Sequence, residues 1–267
     1  MPSRVVASTR RLLDLFERHG ARATFFVLGW VAERNGPLIR EIADRGHEIA
    51  CHGHEHDLVY DLGPDRFRAD LRRARAAIEG AVGVGVRGYR APSYSITRKS
   101  LWALEILAEE GFHYDSSIFP IRHHRYGIPD FVRHPVALEL RAGRLLEFPL
   151  TTLRVGRSNL PLAGGAYLRF VPAALFRRGF ARLVRERRPT VLYLHPWEID
   201  PDQPRQAVGW RVRVNHYFNL SRVEARLDRL LAAHGFAPLA EVLDGLDAAG
   251  EIPVRTPSPG IELHRTS

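Results

Sequence analysis

The side chains best suited to chemistry begin in residues 46–57, where an apolar stretch ending at Cys51 leads directly into His52, His54 and His56. His52 and His56 are four residues apart. On a helical turn that spacing places two Cβ atoms about 5–6 Å apart on one face, so two imidazole nitrogens can share one divalent ion. An ion held with open positions can make a nucleophile of water. Three more reactive side chains follow, each after a short apolar run: Arg90 in Gly88-Tyr89-Arg90-Ala91-Pro92, Asp115 in Tyr114-Asp115-Ser116-Ser117, and His195 in Leu194-His195-Pro196-Trp197-Glu198. Singly, each has a structural explanation: a histidine-rich polar loop, a surface arginine, a capping aspartate, a core histidine. Their succession at strand ends points to a site, because the C-terminal ends of parallel strands form the active face of barrel-like and open α/β folds.

The elements that must position these residues alternate between helix and strand. Residues 4–19 put Val5, Leu12, Leu13 and Phe16 on one helix side, behind a Ser3 cap and ahead of Gly20. Residues 23–28 and 47–51 read as strands, with a helix over 38–45 opened by Pro37 and closed by Gly46. A helix over 64–80, a strand over 86–90, a helix over 97–110 closed by Gly111 and an extended stretch over 112–115 continue the pattern. The repeat of about 25–30 residues predicts parallel strands with helical crossovers. Residues 120–170, rich in proline around a strand-like 145–153, predict an insertion that builds loops over one face. Beyond it come a helix over 172–187, a buried strand over 190–195, a helix over 222–234 and a last short strand over 236–239. Residues 250–267 read as a disordered tail.

Composition narrows the function classes. A chain of 267 residues with 45% hydrophobic content buries a full core. No window approaches 18 apolar residues, and the N-terminus reads as an amphipathic helix, so the expectation is a soluble, cytoplasmic protein without a transmembrane segment. Cys51 alone excludes an internal disulfide. The net charge of +9 is carried by arginines spread along the chain, with Lys99 the only lysine. The dense runs at 66–75 and 177–188 recur at helical spacing and read as solvated helix faces, which argues against nucleic acid as partner. An anionic polysaccharide is compatible with the charge.

The motifs taken in order resemble the polysaccharide deacetylase family, the NodB homology domain. His52-Gly53-His54-Glu55-His56 is similar to its metal-binding motif, Arg90-Ala91-Pro92 to its arginine motif, residues 115–119 to its aspartate-aromatic motif and residues 192–195 to its terminal histidine motif. Residues 87–96, 114–120 and 195–200 are similar to a subgroup associated with exosortase-linked exopolysaccharide loci, and residues 196–243 resemble that subgroup's C-terminal extension. The resemblance implies an irregular (β/α) barrel with the deacetylase domain over 1–195, an extension over 196–249 and a tail over 250–267. It implies hydrolysis of N-acetyl groups from an acetylated polysaccharide, in exopolysaccharide biosynthesis. His52 and His56 would hold Zn²⁺, Co²⁺, Ni²⁺ or another divalent metal. His195 would be the general acid that protonates the departing amine, Asp115 would orient His195, and Arg90 would pair with the catalytic base. Tyr94, Phe119 and Trp197 would contact sugar or the acetyl methyl.

The chain departs from the family in one respect that matters. The resemblance implies a first strand ending in an acidic motif that supplies the base and the third metal ligand, and no such segment precedes residues 4–19. His54 and Asp57 are the nearest residues able to complete the shell. The expectation is an N-terminally truncated deacetylase whose strand over 23–28 has an unpaired edge. The alternative is a homologue that binds glycan or partner proteins without catalysis. A two-metal nuclease or phosphoesterase would need more carboxylates than Asp115 and Glu198 supply.

Overall fold

The computed structural model describes residues 4–256. Helix α1 (Val5–Arg18) leads to strand β1 (Thr24–Val27), helix α2 (Gly29–Asp44) and strand β2 (Glu48–Cys51). Helices α3 (Val59–Leu62) and α4 (Pro64–Val82), strand β3 (Gly88–Tyr89), helix α5 (Trp102–Glu109) and strand β4 (Tyr114–Asp115) complete the regular half. Strands β5 (Val136–Leu140), β6 (Gly143–Glu147), β7 (Thr152–Val155) and β8 (Ser158–Pro161) follow. After them come helices α6 (Gly165–Phe170), α7 (Ala173–Arg185), α8 (Trp210–Tyr217), α9 (Val223–Ala233) and α10 (Leu239–Ala248), and strand β9 (Val254–Arg255).

One sheet organises the molecule, in the order β1-β2-β3-β4-β6-β5-β9. Strands β1 to β4 and β6 run parallel, β5 returns antiparallel to β6, and β9 lies parallel to β5. The α/β class with a mostly parallel sheet is the one the alternation predicts. Among the described residues β1 pairs only with β2, so one side of β1 is a sheet edge. The α2 and α4 helices pack over the sheet because their apolar stripes, Leu38, Ile39 and Ile42 on one and Phe67, Leu71 and Ile78 on the other, are all buried. Each such side chain contributes about 1.5–3 kcal/mol on burial. A second layer joins α1 to α9 through Leu12, Leu15, Leu227 and Leu231. No helix among the described residues is long and apolar enough to cross a membrane.

Helix signals locate ends well where Pro and Gly stand at them. Pro64 sits at the first turn of α4, and Gly83 ends that helix in the left-handed conformation. Elsewhere tertiary packing alters the expected bounds. The Ser3 cap lies outside the described residues; Arg4 occupies the cap position and its guanidinium pairs with Asp200. Helix α2 begins at Gly29, nine residues before the expected start at 38, and absorbs Pro37 through a break at Asn35. Helix α5 begins at Trp102, because residues 98–101 form a turn rather than helix.

The later half departs further. Residues 136–147 form a hairpin hydrogen-bonded into the main sheet rather than loops over one face, since β6 supplies the parallel partner that β4 requires. The expected buried strand over 190–195 is absent: one isolated bridge, Tyr193 to Gly164, is its only sheet contact, and His195 is exposed. Residues 236–238 are irregular, and Leu239 opens α10 instead of closing a strand. Of the tail expected to be disordered, Val254 and Arg255 pair with β5; residues 257–267 lie outside the described residues.

Candidate active site

Strand ends β2, β3 and β4 deliver His52, Arg90 and Asp115 to one face. The chain leaves β2 through Gly53, whose φ is +78°, and turns again at His56, whose φ is +66°. That left-handed turn is unfavourable for a side chain bearing Cβ, and it folds His56 back against His52 with ring centroids 5.3 Å apart. His52 Nδ1–H donates to the Arg90 carbonyl at 2.7 Å, which leaves Nε2 as the lone-pair nitrogen. Burial pushes the His52 pKa down to about 3, against the opposing hydrogen bond to Arg90, so the ring is neutral. Burial also lowers the pKa of His56, with the charge of His195 adding in the same direction. His195 lies near enough to disfavour charge on both of these imidazoles, although no strand carries it there.

The two imidazoles fit one half of a zinc site: both are neutral at physiological pH, their ring centroids are 5.3 Å apart, and the His52 tautomer is fixed. Among the described residues no group of three His, Cys, Asp or Glu is placed to hold a metal. His54 does not complete the shell. It is 2% exposed and turns under α2, where its backbone N–H is held by Asp70 and its Nε2 is 3.8 Å from Glu33. A Cβ on Gly29 would lie 2.4 Å from the His54 ring, so glycine there makes room for it. Asp57 is exposed and bonds nothing at the site.

His195 is oriented by Glu198, which the sequence offered only as a spare carboxylate, and not by Asp115. Glu198 Oε2 accepts the His195 backbone N–H at 3.0 Å and lies 3.4 Å from Nδ1. Glu198 is in turn paired with Arg169 at 3.2 Å, the two side chains being 2% and 3% exposed. A Cβ on Gly165 would fall 2.1 Å from Glu198 Oε2, so glycine at 165 admits the carboxylate. The three-residue step from His195 to Glu198 is capping-box spacing and was legible as such; Arg169, 29 residues away, carried no local signal.

Asp115 faces a different partner. It lies opposite Glu147 on the neighbouring parallel strand, and Ser117 Oγ–H donates to its Oδ1. Both carboxyls are fully buried, and Asp115 Oδ2 and Glu147 Oε2 have no donor among the described residues. One proton held between those two oxygens satisfies both. Burial raises the pKa of Asp115 to about 6, and burial together with Asp115 raises that of Glu147 well above the usual range. The folded state thus binds protons that the unfolded chain releases above about pH 4, so this pair stabilises most at low pH and its contribution falls as pH rises through 6. Glu147→Gln should flatten that dependence and raise the melting temperature at pH 8 relative to wild type; thermal unfolding between pH 5 and 8 measures it, and parallel curves would refute the shared proton.

Arg90 does not contact a base. Its guanidinium stacks 4.1 Å from the Phe26 centroid and donates to the Ser116 carbonyl and Oγ, and it forms no ion pair among the described residues. Phe119 is fully buried beside Tyr94 and Tyr126, so it is core rather than a sugar platform. Tyr94 is half-buried, edge-on to Tyr193, and both Ser93 and Tyr94 have positive φ, strain of the kind found at binding sites. Trp197 lies at the site, stacked between His195 at 5.9 Å and His216 at 4.2 Å.

Parts of the chain are similar to known proteins. Residues 2–112 match the polysaccharide deacetylase family model, and residues 116–244 match a domain of unknown function, DUF3473. The chain is 30% identical over 98 residues to the peptidoglycan-N-acetylglucosamine deacetylase of Bacillus cereus, covering 36% of each chain. It is 35% identical over 101 residues to the chitooligosaccharide deacetylase of Rhizobium leguminosarum bv. phaseoli, covering 37% of this chain and 42% of that protein. It thus spans well under half the length of these curated relatives. A crystal structure from Mycobacterium smegmatis, assigned as a polysaccharide deacetylase, superposes with a TM-score of 0.66 at 24% identity, over 97% of this chain and 81% of that one. Residues 2–112 are thus similar to polysaccharide deacetylases in sequence, and the superposition shows a fold shared across nearly the whole chain.

Proposed function

We propose that this chain removes N-acetyl groups from an acetylated polysaccharide by metal-assisted amide hydrolysis. The observation that carries the reading is the His52–His56 pair, with ring centroids 5.3 Å apart, joined by His195 from a second, distant part of the chain that lies near enough to act on both rings. His52 and His56 would hold the divalent ion, and when bound it would supply a Lewis acid at the amide carbonyl. His195, with Nδ1 turned to Glu198, keeps Nε2 for the proton that the departing amine requires. Glu198 restrains the ring and is itself held by its ion pair with Arg169. Trp197 walls one side of His195. Arg90 is a buried cation available to a carboxylate base, which none of the described residues supplies. Glycans such as those named for the relatives, peptidoglycan and chitooligosaccharide, or a secreted exopolysaccharide, all present the same N-acetyl group. We take residues 196–249 as an extension that packs on the deacetylase scaffold through α9.

A second reading, a homologue that binds glycan without hydrolysing it, is favoured by the two-imidazole donor set and the unpaired Arg90. Calorimetry with Zn²⁺, Co²⁺ and Ni²⁺ and acetate release from N-acetylglucosamine oligomers and acetylated exopolysaccharide separate the two. The expected result is weak metal binding, because two protein ligands replace three, abolished in His52→Ala/His56→Ala and accompanied by acetate release. An unchanged isotherm in the double variant would sink the metal assignment. Glycan binding without acetate release would establish the second reading.

A further inference from the structure

Among the described residues the most exposed large apolar side chain, Trp210, lies on α8. Helix α8 buries none of its residues. Trp210 is 71% exposed, Val212 58%, Val214 46% and Phe218 42%, and Phe170 of α6, itself 41% exposed, stacks on Phe218 with centroids 5.0 Å apart. Trp210, Val214 and Phe218 stand four residues apart and so form one stripe. The fold holds this stripe outward by polar bonds rather than by burial: Arg169 donates to the Asn215 and His216 carbonyls at 2.7 and 3.0 Å, and His216 bonds Gln203 at 2.8 Å. Large apolar groups in a contiguous exposed patch mark an interaction surface.

The charge around the stripe identifies what it meets. Residues 203–223 contain Arg205, Arg211, Arg213 and Arg222 and no Asp or Glu. Arg211 lies over the Trp210 ring at 5.3 Å and Arg205 over Tyr217 at 5.6 Å, so one cation borders the exposed Trp210 ring and another the half-buried Tyr217. A neutral sugar would leave the four arginines without a counter-charge, and this segment has no carboxylate of its own to supply one. A second copy would bring the same cations against these. Hydrocarbon and tryptophan flanked by arginine alone matches an anionic lipid surface, where apolar groups enter the headgroup boundary and each cation gains from the negative potential.

We propose that the α8 face docks this protein on an anionic membrane surface. The stacked rings Trp197 and His216 join α8 to His195, so docking would hold the candidate active face beside the bilayer. The proposal does not depend on acetate release.

Co-sedimentation with phosphatidylcholine vesicles, with and without phosphatidylglycerol, tests it. Partition onto the anionic vesicles should exceed that onto phosphatidylcholine alone, weaken with added salt, and blue-shift tryptophan emission. Arg211→Ala/Arg213→Ala should weaken it roughly 30-fold, the product of two lost cations at a charged interface. Trp210→Ser/Val214→Ser should remove the emission shift. These side chains are exposed, so circular dichroism should show both variants folded. No partition, equal partition onto both lipids, or partition unaffected by either variant would overturn the proposal. So would a dimer in sedimentation velocity that Trp210→Ser/Val214→Ser dissolves, which would make this face a contact between copies.

Discussion

Glu198→Ala lowers the unfolding free energy by about 3–5 kcal/mol in chemical denaturation, the expected cost of stranding one partner of a buried ion pair. Arg169 is 3% exposed, and its remaining partners would be the backbone carbonyls of Asn215 and His216, which offer dipoles but no opposite charge. The same substitution removes the acceptor of the His195 backbone N–H and opens the space that Gly165 leaves for the carboxylate. Arg169→Met alone should cost a similar amount, by leaving a buried carboxylate. The pair Arg169→Met/Glu198→Gln, which removes both charges, should recover at least half of the loss. If both single variants cost less than about 1 kcal/mol, the size of an exposed pair, the ion pair is not the buried element described above.

His195→Ala lowers acetate turnover by about 10²- to 10⁴-fold in any preparation that releases acetate, while leaving metal content unchanged. An amine leaves only once protonated, and among the three imidazoles His195 alone is exposed without a place in the His52–His56 pair. Glu198→Gln should move kcat in the same direction with little change in KM, since the substitution alters how the ring is held rather than what binds sugar. Asp115→Asn separates the two carboxylates. Asp115 makes no hydrogen bond to His195 and shares its buried environment with Glu147, so this variant should change the pH dependence of stability and leave kcat within a few fold of wild type. A loss of kcat in Asp115→Asn as large as that in His195→Ala would return the orienting role to Asp115. Loss of metal in His195→Ala would make His195 a ligand.

How much of this was legible without coordinates differs between the halves of the chain. Through residue 115 the alternation of amphipathic helix and apolar strand is regular, and glycine or proline stands at most boundaries, so β1 to β4 and α4 fall within a few residues of their sequence bounds. Beyond it the hairpin of β5 and β6 was hidden, because a strand whose partner is β4, some thirty residues earlier, has no local mark beyond its apolar character. The stretch 190–195 was misread for the converse reason. Leu192 and Leu194 are apolar and alternate, but they pack against helices rather than against a strand.

At the site, residue types and spacing alone pointed to a His52–His56 pair and to Arg90 and Asp115 at strand ends; the pair forms, but through a loop with Gly53 and His56 at positive φ rather than a helical turn, and no strand carries His195. Only the tertiary structure decided which carboxylate serves which partner. Asp115 meets Glu147 because two parallel strands are in register, Glu198 meets Arg169 because Gly165 admits it, and His54 leaves the site because α2 has a glycine where another residue would block it. Such contacts depend on which strands are adjacent and how closely backbones approach, and these are properties of the packed chain rather than of any local segment.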